Sequence, residues 1–230
     1  NPTGNTVAQS WAAVRNGVCG VGPITHYDTS NSKTKLAAEV KDFDPAVRVD
    51  KRESRKMARF TQFAMAAAIE AMEDAGIDME KTDATRFATI VSAGIGGLPN
   101  MEEEHAKGEQ KGFDRVSPFF VPMTIANMAA GQIAIRFGLK GMCVAPVTAC
   151  AGGTNAIGDA FHRIRDGYED LALCGGAESC ISPLGVGGFT SMKALTAATD
   201  PARASLPFDA ERGGFVIGEG AGILVLEELA

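Results

Sequence analysis

Four clusters of glycine residues constrain the possible folds of this chain more than any other feature of its sequence. The protein contains 27 glycines, and most of the clusters directly follow a short apolar run; they are SAGIGGLP (92–99), CGGAES (174–179), PLGVGGF (183–189) and GGFVIGEGAG (213–222). In α/β proteins, glycine-rich turns of this kind lie at the carboxyl ends of strands, where the chain changes direction. The clusters therefore favour an α/β fold.

Apolar periodicity predicts helices and strands around these turns. A repeat of three and four residues predicts a long helix over 54–75 that stops at Gly76. The other predicted helices are 6–17, capped by Asn5 or Thr6, then 123–138 and 154–167; the predicted strands are 86–94, 142–147, 170–176 and 221–229. Because strands alternate with helices, we expect a mostly parallel sheet covered on both faces.

Composition excludes several classes of protein. The 230 residues are 45% hydrophobic and 22% charged, as in an ordinary soluble globular protein. No apolar run is long enough to span a membrane, and the net charge of −6 argues against nucleic-acid binding. The chain opens with NPTGNTV, which is not a signal peptide and is typical of the middle of a domain.

The cysteines predict a reducing compartment and no metal site. Cys19, Cys143, Cys150, Cys174 and Cys180 are odd in number, form no CxxC pair and have no histidine at metal-ligand spacing. We therefore expect a cytoplasmic protein, or an organellar one if a targeting segment has been lost. Three of the five, Cys143, Cys174 and Cys180, are interpreted as buried structural residues.

Cys150 differs from the other cysteines in its position. The stretch PVTACAGGTNAIGDAF (146–161) carries it from a predicted strand, past Gly152 and Gly153, into a predicted helix. Unpaired N–H groups at a helix N-terminus favour a thiolate and can bind an oxyanion. At this point two interpretations remain open, a reactive nucleophile and a cysteine that packs a strand end.

Several long motifs resemble the β-ketoacyl-[acyl-carrier-protein] synthases, and the synthase II branch most closely. They are SAGIGG, SPFFVPMTIANMAAG, VTACAGGTNAIGDAF, CGGAESCISPLGVGGFTSMKALT and ASLPFDAERGGFVIGEGAGILVLEEL, in the family's order. The resemblance implies a thiolase-like fold of layered αβαβα type with mostly parallel mixed sheets, usually in a homodimer. It also implies that residues 1–230 are an N-terminal synthase domain, incomplete at both ends, without the C-terminal half.

The resemblance further implies an acyltransferase mechanism without a cofactor. Cys150 would take an acyl group from acyl carrier protein as a thioester. Malonyl carrier protein would then lose carbon dioxide, and the resulting carbanion would attack that thioester. The family's two histidines and lysine belong to the missing half, and His26, His105 and His162 match none of them. We therefore expect this fragment alone to be inactive.

Two further groups of residues follow from the resemblance. In the acyl pocket, Ile95 matches the family residue that limits acyl-chain length, and Phe189 matches a pocket wall. Phe120 matches a residue that reaches the neighbouring subunit's pocket. The carrier-protein dock matches a set of basic residues: Arg52, Arg55, Lys56, Arg115 and Lys193. Arg52, Arg55 and Arg59 also follow helical spacing, so that the sequence predicts them on one side of a helix, either as a solvated face or as a dock for an acidic partner.

Alternatives within the same fold remain open. One is a polyketide ketosynthase or another thiolase-like enzyme that uses coenzyme A. The other is a non-catalytic acyl-binding subunit that shapes chain length. Such subunits typically replace the nucleophile, whereas Cys150 is intact, and the enzyme is therefore the leading hypothesis.

Overall fold

The computed structural model describes residues 1–229. Its helices are α1 (Val7–Arg15), α2 (Lys51–Ser54), α3 (Arg59–Ala75), α4 (Leu98–Lys111), α5 (Phe120–Thr124), α6 (Met128–Phe137), α7 (Gly152–Arg165) and α8 (Pro183–Ser191). Its strands are β1 (Gly22–Pro23), β2 (Leu36–Ala37), β3 (Phe87–Ser92), β4 (Cys143–Val144), β5 (Leu171–Glu178) and β6 (Gly220–Glu227).

A four-stranded mixed sheet forms the centre of the molecule. Its strand order is β4-β3-β5-β6. β3 pairs in parallel with both β4 and β5, whereas β6 runs antiparallel to β5 along the whole of that strand. The predicted mostly parallel sheet is therefore confirmed, with one antiparallel strand at its edge. β1 and β2 form a separate antiparallel pair.

Helices cover both faces of this sheet, as the sequence predicts. On one face, Phe87 and Val91 of β3 pack into a core with α3 and α6. On the other face, Ala88 and Ile90 pack against alanines of α7. Successive side chains of a strand point to opposite faces, which explains why every residue of β3 is buried. Full burial of one large apolar side chain contributes about 1.5–3 kcal/mol.

A third apolar cluster lies beside the main sheet and supports α8. Ile24 and Ala37 from the β1–β2 region pack there with Cys180, Val186 and Ile217. This cluster joins the segment after β5 to the segment before β6. It therefore fixes the positions of the glycine-rich stretches 183–189 and 213–222 relative to each other.

The predicted helix over 54–75 is wrong in its first turn. The chain forms α2, leaves the helical conformation at Ala58, where ψ is 159°, and starts α3 at Arg59. The side-chain amide of Gln62 donates to the carbonyl oxygens of Ser54 (2.8 Å) and Met57 (3.1 Å). The Ser54 carbonyl also accepts from the Met57 N–H at 3.1 Å, so that the Gln62 amide spans the break and supplies a donor to Met57. Met57 and Ala58 are buried in the core, so that packing stabilises the break.

The predicted helix over 123–138 is also interrupted. It forms α5 and α6, separated by Ile125 in an extended conformation. The Thr124 carbonyl accepts from the Gly97 N–H at 3.2 Å, and a Cβ at Gly97 would overlap the Met123 carbonyl oxygen. A glycine-rich loop that is distant in sequence therefore determines this break.

The other predicted elements form close to their expected positions. Thr6 caps α1 by accepting from the Gln9 N–H at 3.2 Å. The predicted helix over 154–167 is α7, and the predicted strand over 221–229 is β6. The predicted strand over 142–147 pairs only at β4, which is an edge strand with one free side. Cys143 is exposed for this reason, and its interpretation as a buried residue was wrong.

Along residues 1–229, no helix has both the length and the apolar character needed to cross a bilayer. Within that same range, histidine, cysteine and carboxylate side chains nowhere gather in a group of three or more that could hold a metal ion.

Candidate active site

Cys150 lies in a tight turn between a strand and a helix. It is the middle residue of a short 3-10 turn, Ala149–Ala151, that leads directly into α7. Ala149 has a φ of 51°, in the left-handed region that an alanine rarely adopts. The Cys150 side chain is exposed. A backbone conformation of this kind costs energy and is typical of functional turns that present one side chain.

Close packing holds the start of α7 against the sheet. A Cβ at Gly152 would overlap the hydroxyl oxygen of Ser92, the last residue of β3. A Cβ at Gly153 would lie 3.6 Å from the backbone nitrogen of Gly176 in β5. The Ser92 hydroxyl donates to the Pro146 carbonyl at 2.6 Å, which ties the segment before Cys150 to the same strand end. Glycines therefore allow the turn to approach both central strands.

The turn before α7 satisfies two of the N–H donors near the start of this helix: the Ala151 N–H donates to the Thr148 carbonyl at 3.2 Å, and the Gly152 N–H donates to the Ala149 carbonyl. Among residues 1–229, no side chain caps the N-terminus of this helix. The first N–H groups of an uncapped helix have no intrahelical acceptor, and the helix dipole gives them partial positive charge. They lie beside Cys150 in sequence, so that the same turn can present a nucleophile and donors for an oxyanion.

A cavity of about 700 Å³ opens in front of Cys150. Ile95 and Phe189, both predicted to line the acyl pocket, contribute to its wall together with Cys150. Phe189 packs edge-to-face against Phe215, with ring centroids 5.5 Å apart and an interplanar angle of 78°. The cavity therefore combines an exposed thiol with an apolar wall, as an acyl chain requires.

Sequence reasoning missed several residues of this cavity. Glu178, Cys180, Phe215 and Ile217 also contribute to its lining. All four belong to the glycine-rich stretches or directly follow them, and this position could have identified them. A half-buried carboxyl group such as Glu178 was not expected beside an apolar pocket.

The buried thiols differ sharply from Cys150. Burial, together with the nearby Glu178 carboxylate, raises the pKa of Cys180 to about 12. Burial alone raises the pKa of Cys174 to about 11. Their interpretation as structural residues is consistent with this environment, because a thiol with so high a pKa is a poor nucleophile. Of the two cysteines in the cavity lining, Cys150 is exposed and Cys180 is buried.

The comparisons with known proteins identify the family. The family model described as "Beta-ketoacyl synthase, N-terminal domain" matches residues 1–230. The chain belongs to the β-ketoacyl synthases. It is 45% identical to "3-oxoacyl-[acyl-carrier-protein] synthase 2" of Synechocystis sp. over 229 residues, 99% of this chain and 55% of the relative. It is also 45% identical to the enzyme of that name from Staphylococcus aureus, with 100% of this chain and 57% of the relative covered.

Solved β-ketoacyl synthase structures have the same fold. One is the AntDE:AntF complex, a type II polyketide acyl-carrier protein with its ketosynthase bound to the hexaketide; its TM-score is 0.84 at 31% identity, over 99% of this chain and 55% of that one. Another is the ishigamide ketosynthase/chain length factor, with a TM-score of 0.88 at 32% identity over 99% and 56%. The fold is thus a thiolase-like α/β fold, and the chain spans about half the length of these relatives.

The basic residues of this β-ketoacyl synthase domain do not share one helix face. Arg52 and Arg55 are exposed, near the end of α2, and Lys56 pairs with Glu53 at 2.8 Å. Arg59 instead turns inward and binds Glu219, so that the predicted single stripe of arginines was wrong. Further along the chain, Arg115 and Lys193 are exposed and stay candidates for the dock.

Arg59 belongs to a buried polar cluster below the cavity. Its guanidinium group donates to both carboxylate oxygens of Glu219, with a shortest distance of 2.8 Å, and the Glu219 side chain is 0% exposed. The Ser179 hydroxyl and the Val40 N–H each donate to the same carboxylate at 3.0 Å. Glu219 lines the cavity, and this network therefore fixes part of its floor.

The remaining predicted residues do not line the cavity of this synthase domain. Of the histidines, His26 lies 3.7 Å from Glu219, His105 lies 4.0 Å from Glu109, and His162 is exposed on α7. Among the described residues, no histidine lines the cavity. Phe120 begins α5 outside the lining, and its predicted role in a neighbouring subunit stays a prediction.

Proposed function

We propose that the protein containing this chain is a 3-oxoacyl-[acyl-carrier-protein] synthase that extends fatty acids, with residues 1–230 as its N-terminal domain. The observation that carries this proposal is the exposed Cys150 on a strained turn, at the uncapped start of α7 and in front of a largely apolar cavity. The curated relatives support the choice of reaction, since they are 3-oxoacyl-[acyl-carrier-protein] synthases.

The first step is acyl transfer to Cys150. Its sulfur forms a bond to the carbonyl carbon of an acyl-carrier-protein thioester, and the bond between that carbon and the carrier's sulfur breaks. The carrier thiol leaves with the proton that Cys150 loses. N–H groups at the start of α7 stabilise the intermediate oxyanion, while Ile95 and Phe189 contact the acyl chain in the cavity.

The second step is decarboxylative condensation. Malonyl carrier protein loses carbon dioxide, and the resulting carbanion attacks the Cys150 thioester, so that a carbon–carbon bond forms and the sulfur is released. In the family, two histidines and a lysine outside this chain assist the decarboxylation. Because no described histidine lines the cavity, the chain by itself supplies the nucleophile and not this second half of the site. The proposed reaction uses no cofactor.

Exposed basic residues are proposed to dock the carrier protein. Arg52, Arg55, Lys56, Arg115 and Lys193 would face its acidic surface, and complementary charge would accelerate the encounter. One solved relative is a ketosynthase in complex with an acyl-carrier protein, which supports a partner of this kind. We also propose a homodimer in the cytoplasm, in which Phe120 reaches the partner's pocket.

A polyketide ketosynthase is the second candidate. Two structural relatives with TM-scores of 0.84 and 0.88 are a type II polyketide ketosynthase complex and a ketosynthase/chain length factor. Their identities of 31% and 32% are lower than the 45% shared with the fatty-acid synthases, which favours the first candidate. A non-catalytic chain-length subunit is disfavoured because Cys150 is present and exposed.

Products distinguish these candidates. The full-length protein is incubated with acyl- and malonyl-carrier protein, and the carrier-bound products are analysed by mass. A single 3-oxoacyl product, extended by one malonyl-derived unit, supports the fatty-acid synthase. A series of unreduced products with several added units on one chain supports the polyketide enzyme. Carrier binding without condensation or decarboxylation would leave only an acyl-binding subunit.

A further inference from the structure

The carboxylate of Glu178 lies against the glycine-rich loop that carries Ile95. Glu178 is the last residue of β5, and one of its oxygens accepts from the Ile95 N–H at 2.7 Å. The backbone N–H groups of Gly94 and Gly96 also favour the ionised form of this carboxyl group and lower its pKa, against the effect of burial. Backbone N–H groups of a loop that face one carboxylate form an anion-binding concavity. Here the anion is a side chain of the same molecule.

The carboxylate is held by backbone donors and not by a cation. No salt bridge among the described residues includes Glu178, and its second oxygen accepts from the N–H of Ser179 at 3.0 Å. Burial raises the pKa of Glu178, and the backbone N–H groups oppose that shift by favouring the ionised form. Partial burial of a carboxylate without a cation costs free energy. We therefore expect a role of this side chain beyond packing.

The same loop is fixed on its other side and reaches the nucleophile turn. The Thr124 carbonyl accepts from the Gly97 N–H at 3.2 Å, opposite the contact with Glu178. A Cβ at Gly94 would lie 3.3 Å from the Glu178 carboxylate and 3.6 Å from the carbonyl oxygen of Ala149, the residue before Cys150. Gly94 is therefore sandwiched between the carboxylate and the turn that presents the thiol.

Ile95 is the side chain whose position this arrangement determines. It lines the cavity and is 37% exposed, so that neighbouring side chains alone do not fix it. Its backbone N–H makes the shorter of the two hydrogen bonds that the Glu178 carboxylate accepts, at 2.7 Å compared with 3.0 Å for Ser179. A shift of this loop would change the space available to an acyl chain in front of Cys150.

We propose that Glu178 is a positioning residue for acyl-chain selection: its carboxylate anchors the loop of Gly94, Ile95 and Gly96 and thereby holds Ile95 at the cavity wall. The inference rests on the proposed acyl transfer to Cys150. Glu178 contacts no reacting atom in this scheme and acts through Ile95. Loss of the anchor releases the loop and enlarges the space that longer acyl chains can occupy.

The test is acyl-chain selectivity in the full-length protein. The ratio of kcat/KM for a long acyl-carrier protein to that for a short one is measured for wild type, Glu178→Gln, Ile95→Ala and the double variant. Glutamine keeps the size of the side chain but removes its charge, and its N–H₂ group replaces one of the two oxygens that accept from Ile95 and Ser179. We expect the long-to-short ratio to rise about tenfold in Glu178→Gln, as the loss of a charge-assisted hydrogen bond allows. The double variant should match Ile95→Ala, because both changes act through one side chain.

Two further variants separate positioning from general stability. Glu178→Asp keeps the charge and should give an intermediate ratio. Glu104→Gln is the matched control, since Glu104 accepts from the Ser117 N–H at 2.6 Å on α4, outside the cavity lining; its ratio should equal that of wild type.

Three results would overturn the inference. These are an unchanged ratio in Glu178→Gln, effects of Glu178→Gln and Ile95→Ala that simply add, and loss of folding in both Glu178 variants, which would make the residue a stability element. If wild type itself never acquires an acyl group on Cys150, the proposed function fails instead, and that failure is visible before any variant is compared.

Discussion

The turn around Cys150 and the basic segment VDKRESRKMARF (49–60) are both prominent in the sequence, but different kinds of contact hold them in the structure. The turn forms as its local sequence predicts, between a strand end and a glycine-led helix, and the structure adds a strained residue at Ala149. The basic segment breaks into two helices, and Arg59 turns toward the buried Glu219. The sequence around Cys150 therefore predicts the form of the first region, although Ser92 and Gly176 also pack against it. The second region depends on a residue 160 positions away that its own sequence does not indicate.

This difference separates two kinds of charged or reactive residue. Cys150 is exposed because its own turn presents it, so that its role depends on local backbone geometry. Arg55 and Arg59 have the same side chain and lie four positions apart, yet one faces solvent and the other binds a carboxylate that is 0% exposed. Their functions should therefore separate cleanly by mutation, one in binding and one in stability.

The largest effect should come from Cys150→Ala. We expect the rate of condensation by the full-length protein to fall by at least about a thousandfold, because the covalent intermediate cannot form. Circular dichroism should show an unchanged fold, since a small exposed side chain is replaced by a smaller one. Cys143→Ala, which also removes an exposed thiol, should keep its activity. Comparable activity in the two variants would contradict the assignment of Cys150.

Alkylation should separate the two thiols of the cavity. We expect iodoacetamide at pH 8 to modify Cys150 at least about a hundredfold faster than Cys180, because a thiol with a raised pKa has less thiolate at any given pH. The pKa of Cys180 is raised to about 12, and its reaction should accelerate only as the pH rises toward that value or the protein unfolds. Peptide mapping over time measures both rates. Equal rates in the folded protein would show that Cys180 is not buried.

Removal of the Arg59 side chain should destabilise the protein. Arg59→Ala removes the guanidinium group that donates to the buried Glu219 carboxylate, and we expect the free energy of unfolding to fall by about 3 kcal/mol. Lys56→Ala breaks only a surface pair with Glu53 and should change it by less than about 0.5 kcal/mol. Urea denaturation followed by circular dichroism measures both. Equal losses would mean that the two ends of the basic segment do not differ as described.

A smaller effect is expected on carrier-protein binding. Arg55→Glu should raise the Kd for acyl carrier protein about tenfold at low ionic strength, and less at high salt because exposed charges are screened. Lys81→Glu is the matched charge reversal at an exposed position on another surface, and it should leave the Kd unchanged. Isothermal titration calorimetry at two salt concentrations measures this. An Arg55→Glu variant that binds like wild type removes Arg55 from the dock.

The sequence predicted the residues of the candidate site better than the helix breaks and long-range contacts around it. Cys150, Ile95 and Phe189 were identified from motifs, and the structure places all three around one cavity. The apolar periodicity also gave the sheet and its covering helices. These features depend on local sequence, such as the run of apolar residues in a strand or a glycine at a turn.

The misses have one physical cause. The breaks at Ala58 and Ile125 depend on the Gln62 side chain and on the Gly97 loop, neither of which alters local periodicity. Glu178 was missed because nothing in a single sequence indicates that its carboxylate meets N–H groups 83 positions away. Cys143 was predicted to be buried because its apolar run is typical of a central strand. In the structure it lies on β4, an edge strand, and is exposed.

One measurement tests the central claim most directly. The full-length protein is incubated with acyl carrier protein that bears a long acyl chain and without malonyl carrier protein, and its intact mass and peptides are then analysed. The proposed function predicts one acyl group per chain, on the peptide that contains Cys150, and no adduct in Cys150→Ala. A folded protein that binds the carrier and gains no acyl group, or gains it on another residue, would contradict the assignment of Cys150 as the nucleophile.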